Sequence, residues 1–265
     1  MSPEQNQTKF TSKLKNKKVL VLGGTSGIGF AVAEGALEYG AEVVISSSNP
    51  QKLEKAMERL RSAYPTLVSK ISGTTCDLAQ PETLEANLKT LFEFAGNPIH
   101  HIAFTAGDAI KITPLSDATV DYIQKAGFVR FVAPIMLAKI ATAYLAPGPE
   151  SSITLTSGTV SAKPNPGYAI LAGWGAGIEG LTRGLAVDLK PVRVNCVALG
   201  AVHTEFYNNY FTSDRLDAVL EGIGKKTLTG EVGQPTEVAE AYLYAMKDRF
   251  VTGTLLSSDG GGLLA

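Results

Sequence analysis

The sequence predicts an α/β fold: one doubly wound domain with a seven-stranded parallel sheet and helices on both faces. Three observations predict it. Short, continuous apolar runs alternate with segments of helical periodicity, the pattern left by strands that are buried on both sides. The length, 265 residues, suits a single three-layer domain, and no linker, repeat or low-complexity tract divides the chain. Glycine is in excess, with 27 residues, or about 10% against a background of about 7%, and several of these glycines stand where apolar runs end.

The elements follow in order. The polar first 16 residues are expected to form a flexible segment, with the single domain over 17–265. A strand over 19–23 runs into a helix over 27–39, and a strand over 42–46 into a helix over 50–63. A third strand lies within 70–78, before a helix over 81–95. The run 100–107 holds a strand ending in small residues, which His100 and His101 precede, far from any chemistry. Residues 117–145 carry one helical pattern. Strands over 151–158 and 192–200 flank a long helix over 169–189. Residues 205–230 read as irregular or short helices. With Gly222, Gly224 and Gly230 between a strand and a helix, this is the expected mobile element. A helix over 235–247 and a final strand within 253–261 close the domain.

Composition excludes several classes of function. Lys and Arg total 24 and Asp and Glu 25, a net charge of −1, which leaves no excess positive charge for nucleic acid or acidic lipid. No apolar stretch is long enough to span a membrane and no N-terminal signal is seen, so a cytoplasmic location is expected. Cys76 and Cys196 both lie in apolar runs and read as buried free thiols, and no Cys/His spacing suits a metal. The remaining partner class is a small molecule.

The first strand leads directly into LGGTSGIG. Gly23 permits a tight turn, Gly27 lets backbone approach a pyrophosphate, and Gly29 lets the helix pack close to the strand. The helix N-terminus then presents N–H groups to phosphate. The second strand ends in Ser46, Ser47, Ser48 and Asn49. NAD calls for a carboxylate here to hold the ribose 2′-hydroxyl, and none is present. The hydroxyls, Asn49, the helix N-terminus after Pro50 and Lys52 favour a 2′-phosphate, hence NADP. Asp77, beside Leu78 after the third strand, is placed to accept from an adenine amino group or to cap the next helix.

These residues resemble the short-chain dehydrogenase/reductase family over about 17–262. The motifs are GGTSGIG, CDL (76–78), TAG (105–107), LTSG (155–158), RVNCVALGAVHT (193–204) and VTG…SSDGG (251–261). The resemblance implies a Rossmann-like domain that binds a dinucleotide and assembles as a homo-oligomer, dimer or tetramer, through 117–145 and 169–189. It implies that Thr25, Ser26 and Ile28 sit on the phosphates and that Thr105, Ala106 and Gly107 line the adenosine and ribose side. Gly200, Val202 and Thr204 would hold the nicotinamide end.

The family's catalytic set is an Asn, a Ser and Tyr-x-x-x-Lys, and here the sequence departs. Ser157 matches the serine. With GLTRGLAVDL (180–189) as anchor, the Tyr site falls at Leu171, the Lys site at Gly175 and the Asn site near Gly127. Tyr168 lies three residues early and lacks a following Lys, so it reads either as a shifted acid or as a wall of the substrate pocket. Its ordinary pKa near 10 makes it a poor acid at neutral pH. Arg130, expected on the same helix face as Gly127, reads as a cation in the site or as a structural ion pair. Asp108, past the fourth strand, reads as a cap of the following segment. Trp174 reads mainly as packing, and His203 mainly as structural.

The segment AKPNPGY (162–168) carries Asn165 and Tyr168 toward the substrate by family analogy. It is similar to a divergent branch without Tyr-x-x-x-Lys, the reductase/Diels–Alderases and the reductase/Pictet–Spengler enzyme of indole-alkaloid biosynthesis. In the Diels–Alderases an Asp and a Trp stand at the positions of Asn165 and Tyr168, with an Arg at that of Arg130. The leading expectation is an NADPH-dependent reductase of an imine or iminium, with Arg130, Ser157, Asn165 and Tyr168 at the chemistry and cyclisation of the product as a coupled step. The alternatives are a carbonyl reductase using Ser157 and Tyr168, a non-catalytic NADP-binding protein, and a cyclase that consumes no hydride.

Overall fold

The apolar runs become strands whose side chains point alternately to the two faces of one sheet. The computed structural model describes residues 8–108, 111–205, 207 and 211–265. Its elements are β1 (Lys18–Leu22), α1 (Gly27–Glu38), β2 (Glu42–Ser47), α2 (Pro50–Ala63), β3 (Ile71–Thr75), α3 (Leu84–Ala95), β4 (His101–Phe104), α4 (Val120–Gly127), α5 (Ala133–Ala141), β5 (Ser152–Gly158), α6 (Ala169–Asp188), β6 (Arg193–Leu199), α7 (Ser213–Gly224), α8 (Pro235–Lys247) and β7 (Leu255–Ser258). All seven strands pair in parallel in the order β3-β2-β1-β4-β5-β6-β7.

The alternation in β1 shows how both faces are filled. Val19 and Val21 join a core with Phe30 of α1, Leu60 of α2 and Tyr242 of α8. Leu20 and Leu22 face the other way, into a core with Leu88 of α3, Leu137 of α5 and Ile178 of α6. Within the segment expected to be flexible, residues 1–7 lie outside the described residues, whereas Leu14 is fully buried in the first core.

Two expectations need correction. The single helical pattern over 117–145 is broken: a 3-10 turn at Leu115–Asp117, then α4, a π-helical turn at Phe128–Val132, then α5. Pro134 has no N–H to return to the turn before it, and Gly127 is a weak helix former, so the ladder widens between them. Residues 205–230 hold one helix, α7, of 12 residues within irregular chain, in line with the reading of irregular or short helices; positions 206 and 208–210 lie outside the described residues. His101 is not before the fourth strand but opens it. It is buried and bonded to Ser152 Oγ at 2.9 Å, and burial holds its pKa well below the usual histidine value.

Cys76 and Cys196 are buried and unbridged, and burial pushes both thiols up to about 12, which leaves them unreactive. Among the described residues no helix is long and apolar enough to cross a membrane, and no group of side chains is arranged to hold a metal ion.

Arg193 locks the far end of the sheet. It is 2% exposed. Its guanidinium donates to the carbonyls of Pro149 (2.8 Å), Ala245 (2.5 Å), Met246 (2.9 Å) and Val251 (3.1 Å). Ala245 and Met246 end α8, so a buried cation satisfies carbonyls at the negative pole of that helix. Burial lowers its pKa only to about 10, so it stays charged at neutral pH. Arg193→Met strands these acceptors and is expected to cost about 3 kcal/mol. That corresponds to a drop of roughly 6 °C or more in thermal unfolding followed by circular dichroism.

Candidate functional site

The strand order places a crevice beyond the carboxyl ends of β1 and β4, where the chain turns to opposite faces of the sheet. Three glycines shape it. Gly23 has φ +81°, and a Cβ there would lie 2.7 Å from Ala106 N. A Cβ on Gly29 would lie 2.3 Å from Gly23 O and 2.4 Å from Thr105 Oγ1, so α1 can start here only on a bare backbone. Gly27 has φ +50° and lies against Thr204 and Glu205. Gly27 N–H donates to Glu205 Oε2 at 3.0 Å. A carboxylate therefore sits on the helix end that an anionic ligand would use, and such a ligand needs Glu205 to swing away.

The resulting cleft has a volume of about 260 Å³. It brings together Gly23, Thr25 and Ser26 after β1, Ser46, Ser47, Ser48, Asn49 and Lys52 after β2, and Cys76, Asp77, Leu78 and Ala79 after β3. Thr105, Ala106, Gly107 and Asp108 after β4, with Val129 from the π-turn, complete it. Ser26 is the N-cap residue of α1, yet its hydroxyl makes no capping bond. Asn49 caps α2 by accepting from Lys52 N–H at 2.8 Å. Asp77 is not a helix cap: its Oδ1 accepts from Ala79 N–H at 2.9 Å, and the N-cap of α3 is Thr83. The lip of Ser47, Ser48, Asn49 and Lys52 contains hydroxyls, an amide and a cation but no carboxylate.

Four expected cofactor residues lie outside this cleft. Thr204 sits over Gly27, and Val202 is buried and bridged to Gly233. Ile28 packs partly on the core. Gly200 has a different reason to be small: a Cβ there would lie 2.6 Å from Asp259 Cα, so it lets the chain after β7 pass.

Asp108 lines the cleft after β4, and Arg130 lies beside it. The Arg130 guanidinium lies flat on Gly107, whose Cβ would be 2.6 Å from Arg130 Cζ, and it donates to the Asp108 carbonyl. The π-turn, rather than one straight helix, carries Arg130 there. Burial raises the Asp108 carboxyl above its ordinary range, an effect that the Arg130 charge and a Val129 N–H bond partly offset. Its Oδ2 is buried without a partner, a polar atom left for a ligand to satisfy.

On the other side, Ser157 is 8% exposed and donates to Gly175 O at 3.1 Å. Leu171 is buried. A Cβ on Gly127 would fall 2.2 Å from Trp174 Cε2, so the indole occupies the volume above that glycine. Trp174 Nε1–H donates to Ile123 O at 3.1 Å, and its ring lies 5.1 Å from that of Phe131. Tyr168 is half-buried at the N-cap of α6, and Asn165 is exposed. Tyr207 approaches Tyr168: burial pushes its phenol pKa up, and Tyr168 adds to the effect. His203 is exposed, and only its backbone is engaged, on Gly233.

The SDR-like Rossmann domain family matches residues 10–265. The chain belongs to the short-chain dehydrogenase/reductase family. It is similar to the short-chain dehydrogenase/reductase malC of Malbranchea aurantiaca, 45% identical over 255 residues, covering 95% of this chain and 96% of that one. The solved structure of the MalC reductase/Diels–Alderase from that organism superposes with a TM-score of 0.91 at 44% identity, covering 96% of this chain and 99% of the other. The short-chain dehydrogenase/reductase fsr5 of Gibberella fujikuroi is 39% identical, over 97% of this chain and 98% of its own. A small-chain dehydrogenase in complex with NADPH superposes with a TM-score of 0.75 at 28% identity, covering 95% of this chain and all of the other (100%).

Trp174 packs, as the sequence led us to expect, within its own chain against α4, whereas sequence reasoning missed two groups, Glu205 and Glu179. Glu205, one residue past Thr204, reaches Gly27. Glu179 accepts from Ser161 Oγ and lies 3.5 Å from Ser157 Oγ. An acidic residue one turn beyond Gly175, in an otherwise small and apolar run, was the available signal.

Trp174 is the sole tryptophan, so its fluorescence reports on the indole seated over Gly127. Gly127→Ala is expected to expel the ring, shift its emission to longer wavelength and destabilise the fold by about 2 kcal/mol. An unchanged emission spectrum would contradict the packing described.

Proposed function

We propose that this chain is an NADPH-dependent reductase of a small-molecule iminium in alkaloid-type natural-product biosynthesis, with ring closure of the product as a coupled step. The observation that carries the reading is the loss of three of the four family catalytic groups, the Tyr, the Lys and the Asn, beside a retained cofactor cleft. Leu171 is buried, Gly175 has no side chain, and the space above Gly127 is filled by Trp174. Hydride addition to a ketone leaves an alkoxide that needs an acid beside it. Addition to a C=N⁺ group leaves a neutral amine and needs none.

The cleft fits the cofactor. Gly23 gives the tight turn and Gly29 the close seating of α1 that aims its N-terminus into the cleft, Gly27, Thr25 and Ser26 there take the pyrophosphate, and Asp77 and Leu78 face the adenine. Thr105, Ala106 and Gly107 line the ribose side. The carboxylate-free lip of Ser46, Ser47, Ser48, Asn49 and Lys52 suits a 2′-phosphate, and the family resemblance assigns Ile28 to the phosphates and Gly200, Val202 and Thr204 to the nicotinamide end, beyond the cleft itself. NADPH bound there supplies a hydride. Glu205 must leave Gly27 N–H before a pyrophosphate can take its place.

On the substrate side, Arg130 offers a cation to an oxygen of the substrate, Ser157 a hydroxyl, and Asn165 and Tyr168 a wall. Catalysis is then orientation and electrostatics, worth several kcal/mol in comparable sites. The description of the 44%-identical MalC structure as a reductase/Diels–Alderase supports the coupled cyclisation. Assembly as a dimer or tetramer is proposed through α4, α5 and α6. On α6, Gly173, Gly180 and Gly184 face open space and Val187 is exposed.

The test follows NADPH oxidation with two probes of matched shape, an N-methyl dihydroisoquinolinium cation and neutral tetralone. The iminium is expected to have a kcat/KM at least about 100-fold higher, and Tyr168→Phe to leave it within about twofold. Preferential reduction of the ketone, with activity lost in Tyr168→Phe, would establish carbonyl reduction instead. Oxidation with neither probe would overturn the redox reading.

A further inference from the structure

We infer that Glu179 sets the charge preference of the substrate site: its carboxylate, acting through Ser157 and Ser161, selects a cationic ligand over a neutral one. The inference deepens the iminium reading and rests on it.

The geometry is local. A Cβ on Gly175 would point at the serine pair, 3.4 Å from Ser157 Oγ and 3.3 Å from Ser161 Cβ. Glu179 follows one helical turn later, and helical side chains lean toward the N-terminal turn. Its carboxylate therefore reaches back past Gly175. It accepts from Ser161 Oγ, lies 3.5 Å from Ser157 Oγ, and is half-buried. Ser157 is the penultimate residue of β5, and Ser161 follows in a 3-10 turn, Thr159–Ser161.

The consequence is electrostatic. A lysine at 175, where the family keeps one, would form an i,i+4 pair with Glu179 and cancel its charge. Gly175 leaves that charge standing. Among the described residues no cation comes within ion-pair distance of Glu179. The carboxylate's field is felt at Cys196, whose thiol it helps to raise. The pole of the site beside Ser157 is thus inverted, from an ammonium that favours an oxyanion to a carboxylate that favours a cation. Arg130 lies apart from this pole, on Gly107 and the Asp108 carbonyl, so the two charges can address opposite ends of one dipolar substrate.

Glu179 is a positioning residue on this account, and its test reads a quantity that a purely structural role would not move. The NADP⁺ complex, which cannot reduce the probe, is titrated calorimetrically with the N-methyl dihydroisoquinolinium cation and with tetralone. Wild type is expected to bind the cation at least about tenfold more tightly. Glu179→Gln keeps an acceptor for Ser161 and is expected to abolish the preference without changing affinity for NADP⁺. Glu179→Asp, which keeps the charge, is expected to restore most of it, so a folding defect in one variant leaves the other informative. Equal binding of the probes, binding of neither by wild type, or a preference that persists in Glu179→Gln overturns the inference. Cation-selective, Glu179-dependent binding with no NADPH oxidation would uphold it while removing the reductase reading.

Discussion

The contact on which the rest of the structure depends is the seating of α1 against the exits of β1 and β4. Gly29 has no room for even a methyl group, with Gly23 O at 2.3 Å and Thr105 Oγ1 at 2.4 Å from a Cβ built there. Thr105 Oγ1 in turn donates to Leu22 O at 2.8 Å, which ties the end of β4 to the end of β1. This close approach aims the N–H groups of α1 into the switch point of the sheet. It also opens the cleft between the β2 lip and the β4 exit, and it brings Thr204 and Glu205 over Gly27. Every role assigned to the cofactor side follows from that placement.

The substrate side follows from a second substitution of volume for chemistry. Trp174 fills the space over Gly127, Leu171 is buried, and Gly175 clears a path for Glu179 toward the serines. The chemistry changes with them. On the proposed reading, a site without its family acid and with a carboxylate beside Ser157 suits hydride addition to a cation, where the product is neutral and no proton must arrive in step.

Much of this was legible in the sequence, for physical reasons. Buried parallel strands leave continuous apolar runs, and glycines at fixed spacing after the first strand can be read as close backbone approach. Gly23 and Gly29 behave as their spacing predicts. The break of 117–145 was less legible, since Gly127 and Pro134 each weaken a helix without saying that a π-turn forms between them. That turn, not helical periodicity, delivers Arg130 to Gly107. Gly200 illustrates the opposite ambiguity: it sits in the expected motif, yet what presses on it is the backbone at Asp259. Trp174 was legible as packing but not its partner, and Glu179 and Glu205 were illegible because their partners lie far along the chain, and a single sequence carries no signal for which face of α6 meets α4 or the 157–161 turn.

The central claim is that hydride reaches the substrate without a coupled proton. The most direct measurement is the solvent isotope effect on single-turnover reduction of an iminium probe, taken alongside the effect of deuterium at the transferred position of NADPH. The account predicts a primary effect from the labelled cofactor, a solvent effect near unity and a rate independent of pH around neutrality. A substantial solvent effect with a pH-dependent rate would contradict it and restore a proton donor to the site.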